Sequence, residues 1–200
     1  MAIRTANTQS LTEITAFPSA VALGGLILLA TETASSSDLV TFDSGIDSTY
    51  KEYIFTWVDA HPATDQADLQ VNFRDGSTAY DATKTTTNVQ AFHDEADTST
   101  GLAYDTGRDL AQATGIQILA TGNGYDNDQD ACGTLHLFNP SSTTFVKHFM
   151  GRFSSAAQGD AINDLYVAGY INTTSAIDEV QFAMSSGNID AGTFKLYGVN

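Results

Sequence analysis

Three aspartates at alternate positions, Asp126, Asp128 and Asp130, stand in the loop Tyr125-Asp126-Asn127-Asp128-Gln129-Asp130. Oxygen ligands at that spacing can converge on one hard cation, as in the first half of a calcium loop. The rest of the loop departs from the pattern. Ala131 stands where the sharp turn needs glycine, and Leu137 where a bidentate glutamate would complete the shell. An EF-hand is therefore excluded. Ca²⁺ held more loosely by these three aspartates is the one cofactor expectation, set against a plain solvated acidic turn.

Other reactive residue types are present without the company that chemistry needs. His61, His93, His136 and His148 have no metal-ligand spacing to one another. His136 and His148 fall in predicted strands and read as packing or surface residues. His93-Asp94-Glu95 sets an imidazole beside two carboxylates, but successive side chains of an extended chain point to opposite faces. Cys132 is the sole cysteine, so no intrachain disulfide forms. Its flanks look like a strand start, which predicts a buried, inert thiol. There is no nucleophile elbow or phosphate loop, and Gly122-Asn123-Gly124 lacks the third glycine and the helix of a dinucleotide fingerprint. No pair among the 24 carboxylates is singled out as a glycosidase acid and base. Tyr80, Tyr104, Tyr125 and Tyr170 have rings able to stack on sugars, although packing is the commoner fate of tyrosine. These residues predict a protein that is not an enzyme.

Charge narrows the partners. Eight Lys and Arg against 24 Asp and Glu give a net charge of −16. That balance opposes DNA, RNA and anionic membranes, which need clustered cations. It also keeps copies of the chain apart unless a specific interface or a cation joins them. The run Val21–Ala30 is too short to cross a bilayer, and it sits late for a signal peptide. It predicts a buried strand starting near Leu26.

The elements that would carry these residues are strands. Tyr50–Ala60 is dense in aromatic and β-branched residues, with Tyr53, Phe55 and Trp57 on one face and Ile54 and Val58 on the other. Apolar residues on both faces predict a central sandwich strand, ended by His61-Pro62. Ala67–Arg74 alternates with Leu69, Val71 and Phe73 inward. Weaker or shorter strands are expected at Leu26–Thr31, Leu39–Phe42, around Val89–Phe92, at Gly115–Thr121, Gly133–Phe138, Thr144–Phe153 and Leu165–Ile171. Two alternating runs, Ile177–Met184 and Thr193–Val199, close the chain. Thr33–Ser37, Tyr80–Thr87, Asp94–Gln112 and Ser154–Asp160 read as turns or loops. Ten to twelve short strands with almost no helical periodicity predict an all-β sandwich or barrel over residues 25–200. Residues 1–24 read as an extended N-terminal arm with isolated anchors.

Four turn phrases carry a resemblance: His61-Pro62-Ala63-Thr64-Asp65; Phe73-Arg74-Asp75-Gly76-Ser77 with Tyr80; Phe138-Asn139-Pro140-Ser141-Ser142; and Ser186-Gly187-Asn188-Ile189-Asp190-Ala191-Gly192 through Leu196-Tyr197-Gly198. Together they resemble small all-β proteins of tailed bacteriophages, over roughly residues 25–200. The resemblance implies a jelly-roll-like β-sandwich that serves as a virion structural component, assembled in the host cytoplasm, with no catalytic motif to carry over. A capsid decoration (cement) protein on the outer shell is the first expectation, because the chain lacks the coiled-coil or β-helix shaft of a fibre. A tail appendage, or a receptor-recognition protein that binds host-surface glycans, is the alternative. The implied partners are the major capsid protein or other virion proteins, and further copies of the chain in a homo-oligomer. Ile3, Leu11, Ile14 and Phe17 would be the arm's apolar anchors on the shell, with Arg4 for an acidic partner.

Overall fold

Alternation of large apolar and polar residues leaves each run of this chain one face to bury, and twelve strands do so in a computed structural model that describes residues 25–200. They are β1 (Leu26–Ser37), β2 (Leu39–Phe42), β3 (Glu52–Pro62), β4 (Ala67–Arg74), β5 (Lys84–Asp94), β6 (Thr100–Tyr104), β7 (Gln117–Asn123), β8 (Ala131–Phe138), β9 (Lys147–Ala157), β10 (Ala161–Ile171), β11 (Glu179–Met184) and β12 (Ile189–Val199). Every pairing is antiparallel.

The pairings divide the strands into two sheets. The larger runs β1-β12-β3-β8-β9-β10-β5-β6, and the smaller β2-β11-β4-β7. They are joined along the backbone at the pair Asn123↔Ala157. The nesting is that of a jelly roll: β1 with β12, β2 with β11, β3 between β12 and β8, and β4 between β11 and β7. Two inserted hairpins, β5–β6 and β9–β10, widen the larger sheet from four strands to eight.

Between the sheets lies one aromatic core. The Phe182 ring of β11 meets Phe55, Trp57 and Phe194 of the larger sheet at centroid distances of 5.7, 5.6 and 5.5 Å. Trp57 stacks on Phe153 at 5.3 Å. Trp57 has room to lie flat because its partner on β8 is Gly133, where a Cβ would come within 2.6 Å of the indole.

Several expectations need correcting. β1 does not stop at Thr31: it continues through the Ser/Thr segment to Ser37, past a bulge between Leu28 and Ala30. Nor is it buried. It is an edge strand, and the side chains of Leu26 and Leu28 are exposed. Pro62 does not break β3; it pairs with Ile189 at a bulge, where a missing N–H is tolerated. Ile54 and Val58 are not packed in the sandwich but look outward from it. The consecutive strands β3 and β4 belong to different sheets. Lys84–Thr87 is strand, Asp94–Gln112 contains β6, and β9 runs on to Ala157. The polar threonines of β5 hid a strand whose edge beyond β6 is paired by the segment 105–116, through bonds such as Lys84 N–H to Ala113 O and Thr86 N–H to Leu110 O.

Candidate functional site

Because side chains alternate, the inner residues of the larger sheet make the core and the others form a second, outer face. Among the described residues nothing covers it. Reading across the register, one row runs Leu28, Tyr197, Ile54, His136, Met150, Ala168 and Thr87. The next runs Thr31, Lys195, Thr56, Thr134, Arg152, Tyr166, Val89 and Tyr104. Met150, Val58 and Tyr166 are 49%, 49% and 44% exposed, whereas Phe153 and Leu165, their strand neighbours pointing inward, are wholly buried.

Fixed polar pairs punctuate this face. The Arg152 guanidinium donates from Nε and Nη2 to the Asp164 carboxylate, at 2.9 and 2.7 Å, and lies 5.0 Å from the centre of the Tyr166 ring. The Asp164 bonds hold the guanidinium's pKa above its ordinary value. His136 Nδ1 sits 2.6 Å from Glu52 Oε1. Between the pairs lies a shallow concavity of about 440 Å³ lined by Val89, His136, Met150, Arg152, Tyr166 and Ala168. A planar ion pair, an imidazole–carboxylate pair and apolar surface give a face suited to recognition. The outward pattern of Met150, Arg152 and Tyr166 was available in the sequence, but apolar residues on both sides of β3 pointed to burial on both.

The expected calcium ligands are not brought together. Of Asp126, Asp128 and Asp130, Asp130 alone joins a cluster, with Asp59 and Cys132, their ligand atoms within 4.8 Å of one another. Asp126 instead closes a turn: its carbonyl accepts from Gln129 N–H at 2.9 Å and lies 3.2 Å from His61 Nε2. Gln129 pins the loop by donating to Ala157 O. The cluster mixes two hard carboxylates with a thiol, which suits neither an all-oxygen calcium shell nor a soft thiolate site. Burial, and then the charges of Asp130 and Asp59, push the Cys132 thiol's pKa up, so it is protonated at neutral pH and points to Asp130. That thiol is half-buried, and not sealed in the core as expected.

His93, Asp94 and Glu95 line one shallow concavity with Asp97, whose carboxylate lies 3.0 Å from His93 Nε2. Asp94 accepts from the backbone N–H groups of Thr98 and Ser99 and from the Thr98 hydroxyl, closing the β5–β6 turn and depressing its own pKa. The four tyrosines scatter. The Tyr80 hydroxyl donates to Glu179 beside Arg74, and its pKa is pushed up to about 12 by burial and that carboxylate. Tyr104 donates to Asp109 at 2.7 Å, Tyr125 stands in the acidic loop, and Tyr170 receives Gln112. Tyr104 ends the second row of the outer face, and Tyr166 and Tyr197, which the sequence did not single out, stand further inside these rows. Ile3, Arg4, Leu11, Ile14 and Phe17 lie outside the described residues. No family model, no curated protein and no solved structure matches the chain.

Proposed function

We propose that this chain is a structural protein of a tailed-bacteriophage particle, and specifically a decoration protein that binds the outer surface of the capsid shell. The observation that carries the reading is where the resembling phrases fall. Three of the four are corners at which the chain passes between sheets: 61–65 from β3 to β4, 73–77 out of β4 toward β5, and 186–192 from β11 to β12. The fourth, 138–142, leads from β8 to its neighbour β9. The phrases thus sit where the topology is decided, and several need their residue types there. Gly76, Gly187 and Asn139 have φ of 83°, 67° and 47°, the left-handed region that glycine and asparagine enter most readily.

The described residues begin at an edge strand, β1, and the segment before it, 1–24, is the part proposed to reach the shell. Anchors on such a segment can engage a neighbouring subunit without disturbing the jelly roll. The test is rebinding of purified protein to particles stripped of it. A chain lacking residues 1–20 should keep the wild-type circular dichroism and melting temperature yet lose particle binding at least tenfold. Undiminished binding would remove the arm from the account.

A further inference from the structure

We propose that the outer face of the eight-stranded sheet is a self-association surface whose partner is the same face of a second copy of this chain. The proposal stands without the particle reading.

Charge gives the first argument. The chain as a whole carries −16, so most approaches of one copy to another are repulsive. On the central rows of the face Arg152 and Lys195 balance Glu52 and Asp164, and Arg152 and Asp164 already neutralise each other. The excess acid lies elsewhere, part of it at one end of the face, where Asp59, Asp128, Asp130 and Asp190 line a concavity. Two copies can meet through the neutral centre, with strand directions reversed so that the acidic ends lie apart.

Size and shape agree. Eight strands and about four outward rows make a face of roughly 900 Å² at ordinary sheet spacings, against about 800 Å² per partner in a standard stable interface. Twisted sheets pack face to face with their strand axes within about 30° of each other, which a copy with reversed strand directions satisfies. The apolar residues at the centre, Met150, Tyr166, Ile54 and Tyr197, would be desolvated there together with the mutually neutralised Arg152–Asp164 pair, with threonines around them.

The experiment is sedimentation equilibrium of the full chain across concentration and salt. The expected species is a dimer of twice 21.2 kDa whose dissociation constant tightens as salt rises, because screening weakens the net repulsion. Met150→Glu should weaken it at least tenfold, while Phe145→Ser, at an exposed loop position away from the face, should leave it unchanged. Both variants should keep the wild-type circular dichroism. If Met150→Glu perturbs the fold, Tyr166→Ser replaces it. A monomer at 100 micromolar order (about ten times a weak biological interface's needs), or a dimer indifferent to both face variants, overturns the proposal. So does a monomer whose face variants lose particle or glycan binding, which would assign the face to that partner. A dimer lost only on deleting residues 1–24 would assign self-association to the arm.

Discussion

Lys84 and Lys147 are cations buried without a carboxylate, flanking Ile171 in the register of β5, β10 and β9. Lys84 Nζ donates to Asn72 Oδ1 at 2.6 Å and Ala82 O at 2.7 Å; Lys147 Nζ donates to the carbonyls of Thr173 and Ser175. Neutral acceptors satisfy the protons but do not repay the charge. Burial accordingly pushes the Lys84 pKa down to about 8, against which Asp81 works weakly, and lowers that of Lys147. Above pH 8 the unfolded chain holds a proton that the folded one releases, so stability rises with pH up to the ordinary lysine range; below pH 8 the cost of the buried charge is felt in full. The difference corresponds to about 3 kcal/mol. Urea unfolding of wild type and Lys84→Met at pH 7.5, 9 and 10 should show the wild type gaining on the variant as pH rises. Parallel curves would contradict this. None of it was legible in the sequence, where Lys84 stands in a run of threonines that reads as a solvated loop. Its side chain instead reaches across to the smaller sheet, where Asn72 of β4 receives its ammonium, a tertiary contact with no local signature.

At the scale of elements, the link between the sheets is aromatic. β11 contributes Phe182 to a cluster with Phe42, Phe55, Trp57 and Phe194, so one side chain of the smaller sheet holds several of the larger. Phe182→Ala should cost about 3–5 kcal/mol in denaturant unfolding. Phe145→Ala, at an exposed position, should stay within about 0.5 kcal/mol. Equal effects would mean that the cluster does not hold the sheets. Elements with strict alternation were legible: β4 runs over the predicted Ala67–Arg74, and Leu69, Val71 and Phe73 are buried. Elements stabilised by partners were not. β5 is polar, β6 is five residues with exposed side chains, and the second half of β1 is Ser- and Thr-rich. Each is a strand because a neighbour supplies its ladder, and its own residues say little. The two faces of β3 show the converse error, since apolar residues on both sides mark burial only if something covers both.

The described residues form a jelly roll widened on one side, and that widening gives the larger sheet a broad outer face. The four core strands of the larger sheet would offer half the face; hairpins β5–β6 and β9–β10 supply the rest, including Met150, Arg152 and Tyr166. The all-β class followed from strand spacing and turn chemistry, and the jelly-roll character from the resemblance of the turn phrases, but this face did not, because it depends on which strands become neighbours. The acidic loop, prominent in the sequence, proves to be a pinned turn in which the three aspartates part company. The account's central claim is membership of a particle shell. Its most direct test is the copy number of this chain in purified phage particles, measured by quantitative mass spectrometry against the major capsid protein. A decoration protein should be present at a fixed ratio set by capsid symmetry, and should remain with tail-less heads. A handful of copies per particle, lost with the tail, would contradict it.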